Sequence, residues 1–231
     1  MQTGGKALLF DCGPGVMHRL LEIGVSIVDL SHIFISHFHP DHTGELASIL
    51  FALKYPAPSS QKRPLTIIAG NGFQSFFQCL KALYGNWIEL PADRFTIIEL
   101  DTTRPDHYES ESFSVFSTPV SHRPESIAFR VIDRSGKALV YSGDSDYCDG
   151  LIQIARGADL MICESAFPDD HKVKGHLTPS LAGKIARLAG VKRLVLTHFY
   201  PSCDQADIEK QCRSTYSSSI ILATDKMTLT L

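Results

Sequence analysis

No apolar run in the sequence approaches the ~18–20 residues that span a bilayer, which argues against a membrane-spanning helix. The opening residues, Met1-Gln2-Thr3-Gly4-Gly5-Lys6, are not the pattern of a secretory signal. Cysteine is sparse. The six residues are scattered and form no CxxC pair, which excludes a disulfide framework and suits free thiols in a reducing compartment. An excess of positive charge is also missing: 22 Lys and Arg stand against 25 Asp and Glu, for a net charge of −3. No overall basic field therefore favours nucleic acid, although a local patch could still serve RNA. No internal repeat is visible. At 231 residues the chain is long enough for one good core or two small ones. The expectation is one domain, 1–231, of a cytoplasmic enzyme with no membrane partner.

What the sequence does have is concentrated in Ser36-His37-Phe38-His39-Pro40-Asp41-His42. His37, His39, Asp41 and His42 follow the short apolar run Ile33-Phe34-Ile35, which reads as a core strand. A helical pattern over 43–53 comes next, with Leu46, Ile49, Leu50 and Leu53 at helical spacing. The metal-capable side chains thus sit in a loop at a strand end. Imidazoles with a carboxylate suit zinc, manganese or iron, and the lack of a nearby Cys argues against a closed structural zinc site.

The chemistry recurs along the chain. His122-Arg123-Pro124, Ser142-Gly143-Asp144, Cys163-Glu164-Ser165-Ala166-Phe167, Gly175-His176-Leu177-Thr178 and Leu196-Thr197-His198-Phe199 follow in order. With the first stretch, this set resembles the metallo-β-lactamase superfamily, in the branch holding the tRNA 3′-processing endonuclease ribonuclease Z and related small phosphodiesterases. The resemblance implies an α/β fold, a four-layer αββα sandwich. It also implies two divalent metal ions: His37, His39 and His122 around one, Asp41, His42 and His198 around the other, and Asp144 bridging. Zinc is the expected metal, with manganese or iron as alternatives. Asp41 would accept a proton from the attacking water, and the metals would supply a hydroxide at neutral pH. His176 would donate a proton to the leaving oxygen, oriented by Glu164. The alternative reading of His176 is a turn-closing residue, and that of Asp144 is a helix cap, a role open to Asp146 or Asp149 instead. Asp11, at the end of the strand Ala7-Leu8-Leu9-Phe10, reads either as a support for the metal loop or as a turn former.

Relatives in the branch begin with a further strand and a glycine-rich turn. This sequence opens at Gln2-Thr3-Gly4-Gly5, so the expectation is a fold without its first strands or a sequence short at that end. A sheet edge left open there could be covered by a partner chain, and the resemblance implies a homodimer.

Elsewhere, strands are expected at 65–69, 95–100, 113–119, 127–131, 138–142, 160–163, 193–197, 219–223 and 227–231. Helices are expected at 16–23, 73–84, 151–154, 180–189 and about 205–215. Phe73, Phe76, Phe77 and Leu80 share one apolar helix face, read as core. Residues 55–60 and 101–112 read as loops. Thr178 is placed as the cap of the helix that starts at Pro179.

Ribonuclease Z carries a long arm between its third His ligand and the bridging Asp. Here His122 and Asp144 are separated by little more than two strands and a turn. The favoured reading is therefore a compact metal-dependent phosphodiesterase acting on small or accessible phosphodiesters, such as cyclic nucleotides or short RNA ends. The alternatives are a tRNA 3′-processing endoribonuclease, a thioester or lactone hydrolase, and a catalytically inactive binding domain.

Overall fold

The computed structural model describes residues 1–57 and 63–231. The loop expected at 55–60 thus falls partly outside the described residues, at Pro58, Ser59 and Ser60. The chain divides into two compact units, Met1–Leu100 and Asp101–Leu231.

In the first unit, short apolar runs alternate with helices, the pattern that builds a parallel sheet. The elements are β1 (Gln2–Thr3), β2 (Lys6–Phe10), α1 (Val16–Glu22), β3 (Leu30–Ile35), α2 (Pro40–Thr43), α3 (Leu46–Lys54), β4 (Leu65–Gly70), α4 (Phe73–Tyr84) and β5 (Phe95–Leu100). The sheet runs β1-β2-β3-β4-β5, parallel from β2 to β5, with β1 antiparallel at the edge. β3 lies at the centre and all of its residues are buried, as expected for a strand covered on both faces. Ile33, Ile35, Leu46, Ile49, Leu50, Phe73 and Phe77 form the core, with Phe76 and Leu80 packed against it. The expected aromatic helix face is therefore core. Because β2, β3 and β4 run parallel, the loops beginning at Asp11, Ser36 and Asn71 all leave the same edge of the sheet.

The helix expected at 43–53 is broken in two at Gly44 and Glu45. The Glu45 backbone N–H donates to the Cys12 carbonyl at 2.9 Å. Its carboxylate accepts from the N–H groups of Gly15 and Met17 at 2.8 and 2.7 Å. Glu45 therefore satisfies the open amides at the start of α1, a long-range cap that local periodicity cannot reveal.

The second unit contains β6 (Asp106–Glu109), β7 (Phe113–Pro119), β8 (Ile127–Asp133), β9 (Ala138–Tyr141), α5 (Asp149–Ile154), β10 (Leu160–Glu164), α6 (Pro179–Ala189), β11 (Arg193–Thr197), α7 (Ile208–Arg213) and β12 (Ser219–Leu222). Its sheet runs β12-β11-β10-β9-β8-β7-β6. The β6–β9 half is antiparallel and the β9–β12 half is parallel. Met161, Cys163, Leu194, Leu196, Leu151, Ile185 and Ala186 make its core. Asp159 ties three strand starts together: its carboxylate accepts from the Ala138 N–H at 2.9 Å, and from Lys192 and Lys137 Nζ at 2.8 and 3.5 Å.

Four expectations here are corrected. The segment 101–112 is not wholly loop, because β6 pairs with β7 as an edge strand. The helix at 205–215 is a 3₁₀ turn, Pro201–Gln205, followed by α7, whose cap is the Asp207 carboxylate accepting from Lys210 N–H. Residues 227–231 form no strand. Thr178 occupies the cap position of α6, but its side chain makes no capping hydrogen bond. Pro179 at the first helical position already removes one of the amides a cap would serve.

Candidate functional site

In the first unit the donors stand on the loop after β3. The Asp11 carboxylate accepts from the Ser36 N–H and the Ser36 hydroxyl, each at 2.8 Å, and from His42 Nδ1 at 2.7 Å. The Ser36 hydroxyl donates its hydrogen bond to Asp11. The 3.1 Å contact with His37 Nδ1 therefore has the imidazole N–H donating. Both rings then carry their proton on Nδ1 and present the Nε2 lone pair for a cation. His37 Nε2 meets His39 Nδ1 at 3.0 Å, a spacing that a shared proton or a cation satisfies. His42 Nε2 lies 3.5 Å from the half-exposed Asp41 carboxylate. Asp11 is thus the support of the metal loop and not merely a turn former. Gly13 is needed for this approach, because a Cβ there would run into the Asp41 carbonyl oxygen.

In the second unit the donors gather around Asp144, which is 2% exposed. Its carboxylate lies 3.9 Å from His122 Nε2, 3.9 Å from His176 Nδ1 and 3.4 Å from His198 Nε2. Asp144 does not cap α5, whose cap position is Cys148. The His122 ring donates from Nδ1 to the Gly175 carbonyl at 2.8 Å, which again leaves Nε2 as the nitrogen with a lone pair that a cation could take. Glu164, His176 and His198 place ligand-type atoms within 4.8 Å of one another. The donor types on each unit fit a divalent cation: neutral imidazoles with fixed tautomers, and carboxylates.

Glu164 is buried and accepts from the backbone N–H of Ser145 at 2.9 Å and of Ala166 at 3.2 Å. His176 Nδ1 donates to it at 3.1 Å. Burial lifts the Glu164 carboxyl above its ordinary value. The hydrogen bond to Glu164 raises His176 above that of a free imidazole. His176 is therefore held by a buried carboxylate and does not simply close a turn.

Backbone strain falls at two of these positions. Asp11 and His198, both at strand ends, are non-glycine residues in the left-handed region, with φ of 55° and 63°.

One organising residue escaped the sequence reading as such. Asp146, considered only as a helix cap, instead joins three loops. Its carboxylate accepts from the Gly175 N–H at 2.9 Å, from Lys172 Nζ at 2.8 Å and from the Tyr147 N–H at 2.8 Å. Its backbone N–H donates to the Ser121 carbonyl, also at 2.8 Å. Gly175 itself has φ of 89°, and a Cβ there would stand 3.1 Å from His122 Nδ1. No short-range pattern marks Asp146 as a joint, because the partners that join the loops, Ser121, Lys172 and Gly175, lie 25 and more residues away.

The comparisons with known proteins agree with this chemistry. Residues 6–199 match the model of the Beta-lactamase superfamily domain. A ribonuclease Z of Gemmatimonas aurantiaca is 30% identical over 270 aligned positions, covering 94% of this chain and 84% of that protein. The metallo-beta-lactamase fold protein YhfI from Bacillus subtilis superposes with a TM-score of 0.81 at 26% identity, covering 98% of this chain and 88% of the other. Human tRNase Z, short form, gives 0.78 at 26% identity, covering 100% and 90%. The chain therefore belongs to the beta-lactamase superfamily and has the metallo-β-lactamase fold, in the ribonuclease Z branch of metal-dependent hydrolases.

Proposed function

We propose that this chain is a compact phosphodiesterase working with two divalent cations, zinc before manganese or iron. His37, His39 and His122 would hold one, Asp41, His42 and His198 the other, with Asp144 shared, so that the whole chain acts as one catalytic domain. Cations bound there would bring the pKa of water towards ~7 and offset charge on the phosphate oxygens. The remaining work falls to this chain's own groups. Asp41, half exposed beside His42, accepts the proton of the attacking water. His176 delivers a proton from Nε2 to the leaving oxygen, while its Nδ1–H stays on Glu164. The observation that carries the reading is the Glu164–His176 pair next to Asp144, an acid placed beside a metal-ligating carboxylate.

A second reading, the tRNA 3′-processing endoribonuclease, is favoured by the names of the relatives. Against it, β8 and β9 are joined by residues 134–137 alone. The match to the Gemmatimonas ribonuclease Z runs over 270 positions, more than the 231 of this chain, so that relative has segments absent here. Small or exposed phosphodiesters, short RNA ends among them, suit a site without an arm. No feature specifically favours a thioester, a lactone or an inactive site.

The test is turnover of bis-p-nitrophenyl phosphate by zinc- and manganese-loaded protein. Asp144→Ala is expected to abolish it, and His176→Ala to lower kcat by about 100- to 10,000-fold with cations retained. No turnover by a folded, cation-loaded wild type would sink the proposal.

We place the protein in the cytoplasm; among the described residues no helix is long and apolar enough to cross a membrane. A homodimer is part of the same proposal. Phe51, Tyr55 and Trp87 form an aromatic cluster with ring centroids 5.2–6.3 Å apart. They are 47, 52 and 58% exposed, and Leu83 and Tyr84, shortly before Trp87 in the sequence, are also exposed. Rings half exposed offer roughly 100 Å² each, so the three rings of the cluster supply about 300 Å² towards the ~800 Å² per partner in a standard interface. The rim holds both signs, Lys54 and Lys81 with Glu89, which suits a self-complementary contact.

A further inference from the structure

Two aromatic side chains stand beside the proton donor and take no part in the chemistry proposed above. Phe167 and Tyr200 stack on each other with centroids 4.7 Å apart and planes 25° from parallel. Phe167 meets His176 edge-on at 5.8 Å. Tyr200 lies 6.3 Å from His176 and 5.7 Å from His198. The pair is built on the sheet itself. Phe167 follows β10 and Tyr200 follows β11, neighbours that run parallel with Glu164 opposite Thr197. The Tyr200 N–H donates to the Ala166 carbonyl at 3.1 Å, which fixes the two rings side by side. Core aromatics normally hide their faces, yet Tyr200 is 41% exposed.

A preset aromatic stack whose outer ring, Tyr200, is open to solvent and whose partner Phe167 is half-buried, about one ring's width from the group proposed to protonate the leaving oxygen, is a place for a flat, apolar substituent of that substrate. We propose that Phe167 and Tyr200 form a stacking platform for a nucleobase, so that the substrate is a nucleotide phosphodiester and not a sugar or lipid one. The inference rests on the phosphodiesterase reading and narrows its substrate class. A base offers a π face whatever its identity, so the platform favours nucleotides without choosing among bases. Neither ring was singled out in the sequence, because Phe167 and Tyr200 are 33 residues apart and only the β10–β11 pairing brings them together.

The test compares two phosphate ligands that differ in the base. Adenosine 5′-monophosphate and ribose 5-phosphate are titrated calorimetrically into cation-loaded protein. Wild type is expected to prefer the nucleotide, and Tyr200→Leu to reduce that preference about tenfold, with ribose 5-phosphate binding changed less than twofold. Phe167→Leu acts in the same direction, and Tyr200→Trp, which restores a larger π face, keeps the preference. Far-UV circular dichroism and Tm establish that each variant is folded. An unchanged preference in both leucine variants overturns the platform. So does equal weakening of both ligands, and so does a wild type that does not distinguish them. Hydrolysis of bis-p-nitrophenyl phosphate by the same preparation would leave the phosphodiesterase reading standing in each of those cases.

Discussion

The Asp11 carboxylate orients two rings at once: it accepts a hydrogen bond from His42 Nδ1 directly, and it fixes the Ser36 hydroxyl whose oxygen accepts from His37 Nδ1. Asp11→Ala is expected to free both imidazoles to change tautomer and to weaken zinc binding about 10- to 100-fold, measured by competition with a chromophoric chelator. Asp146→Ala acts on the other half of the donor set, where it releases the Gly175 amide and the Lys172 ammonium. A similar loss of cation affinity is expected, with Asp146→Asn intermediate because its carbonyl still accepts one N–H. The ligand types themselves were legible in the sequence, since His and Asp at strand ends announce their chemistry. Their supports were less so. Asp11 could be read two ways, and Asp146 and Glu45 act on amides whose distance in sequence hides them.

At the scale of elements, the staple at Asp159 joins the starts of β9, β10 and β11. The hydrogen bond from Lys192 and that from the Ala138 amide hold its carboxyl down to about 2, against ~3.9 for a free Asp. The folded value is the lower one. The group therefore contributes stability above about pH 4 that is lost as the pH falls towards 2. Asp159→Asn is expected to cost about 1–2 kcal/mol at neutral pH, and the difference from wild type should vanish near pH 2 in urea titrations. Gly13→Ala, which forces the Asp41 carbonyl away, should cost a further 1–3 kcal/mol by about the usual figure for overpacking and weaken cation binding with it. Most strands could be read from short β-branched runs. β6 could not, because Asp106-His107-Tyr108-Glu109 is polar at an edge that only β7 touches. The opposite error arose at 227–231, where alternating Thr and Leu mimic a strand but β12 pairs with β11 alone.

For the molecule as a whole, the single tryptophan is a built-in reporter. Trp87 is the only one in the chain and is 58% exposed in the single chain. If the aromatic cluster is the dimer contact, its emission shifts to the red on dilution through the dissociation range, and Trp87→Asp sediments as a monomer with its far-UV spectrum unchanged. A wild type that stays monomeric at high micromolar concentration, or a dimer indifferent to Trp87→Asp, would exclude this surface. The expected homodimer and the sharing of donors around a metal centre rest on the resemblance to relatives, whereas the cytoplasmic expectation rests on the scattered cysteines and the opening residues, and the metal-capable donors on their own side-chain chemistry.

The short link between β8 and β9 bears on what such an enzyme can know about its substrate. Only the four residues 134–137 join β8 to β9, so on the proposed reading recognition would rest on the groups around the bond being cut. A nucleotide at the end of a polymer and the same nucleotide alone then present the same credentials. Length would be sorted by diffusion and by the net charge of −3, which repels long polyanions more than short ones. On that reading the hydrolase would be indifferent to the body of the molecule whose end it cuts.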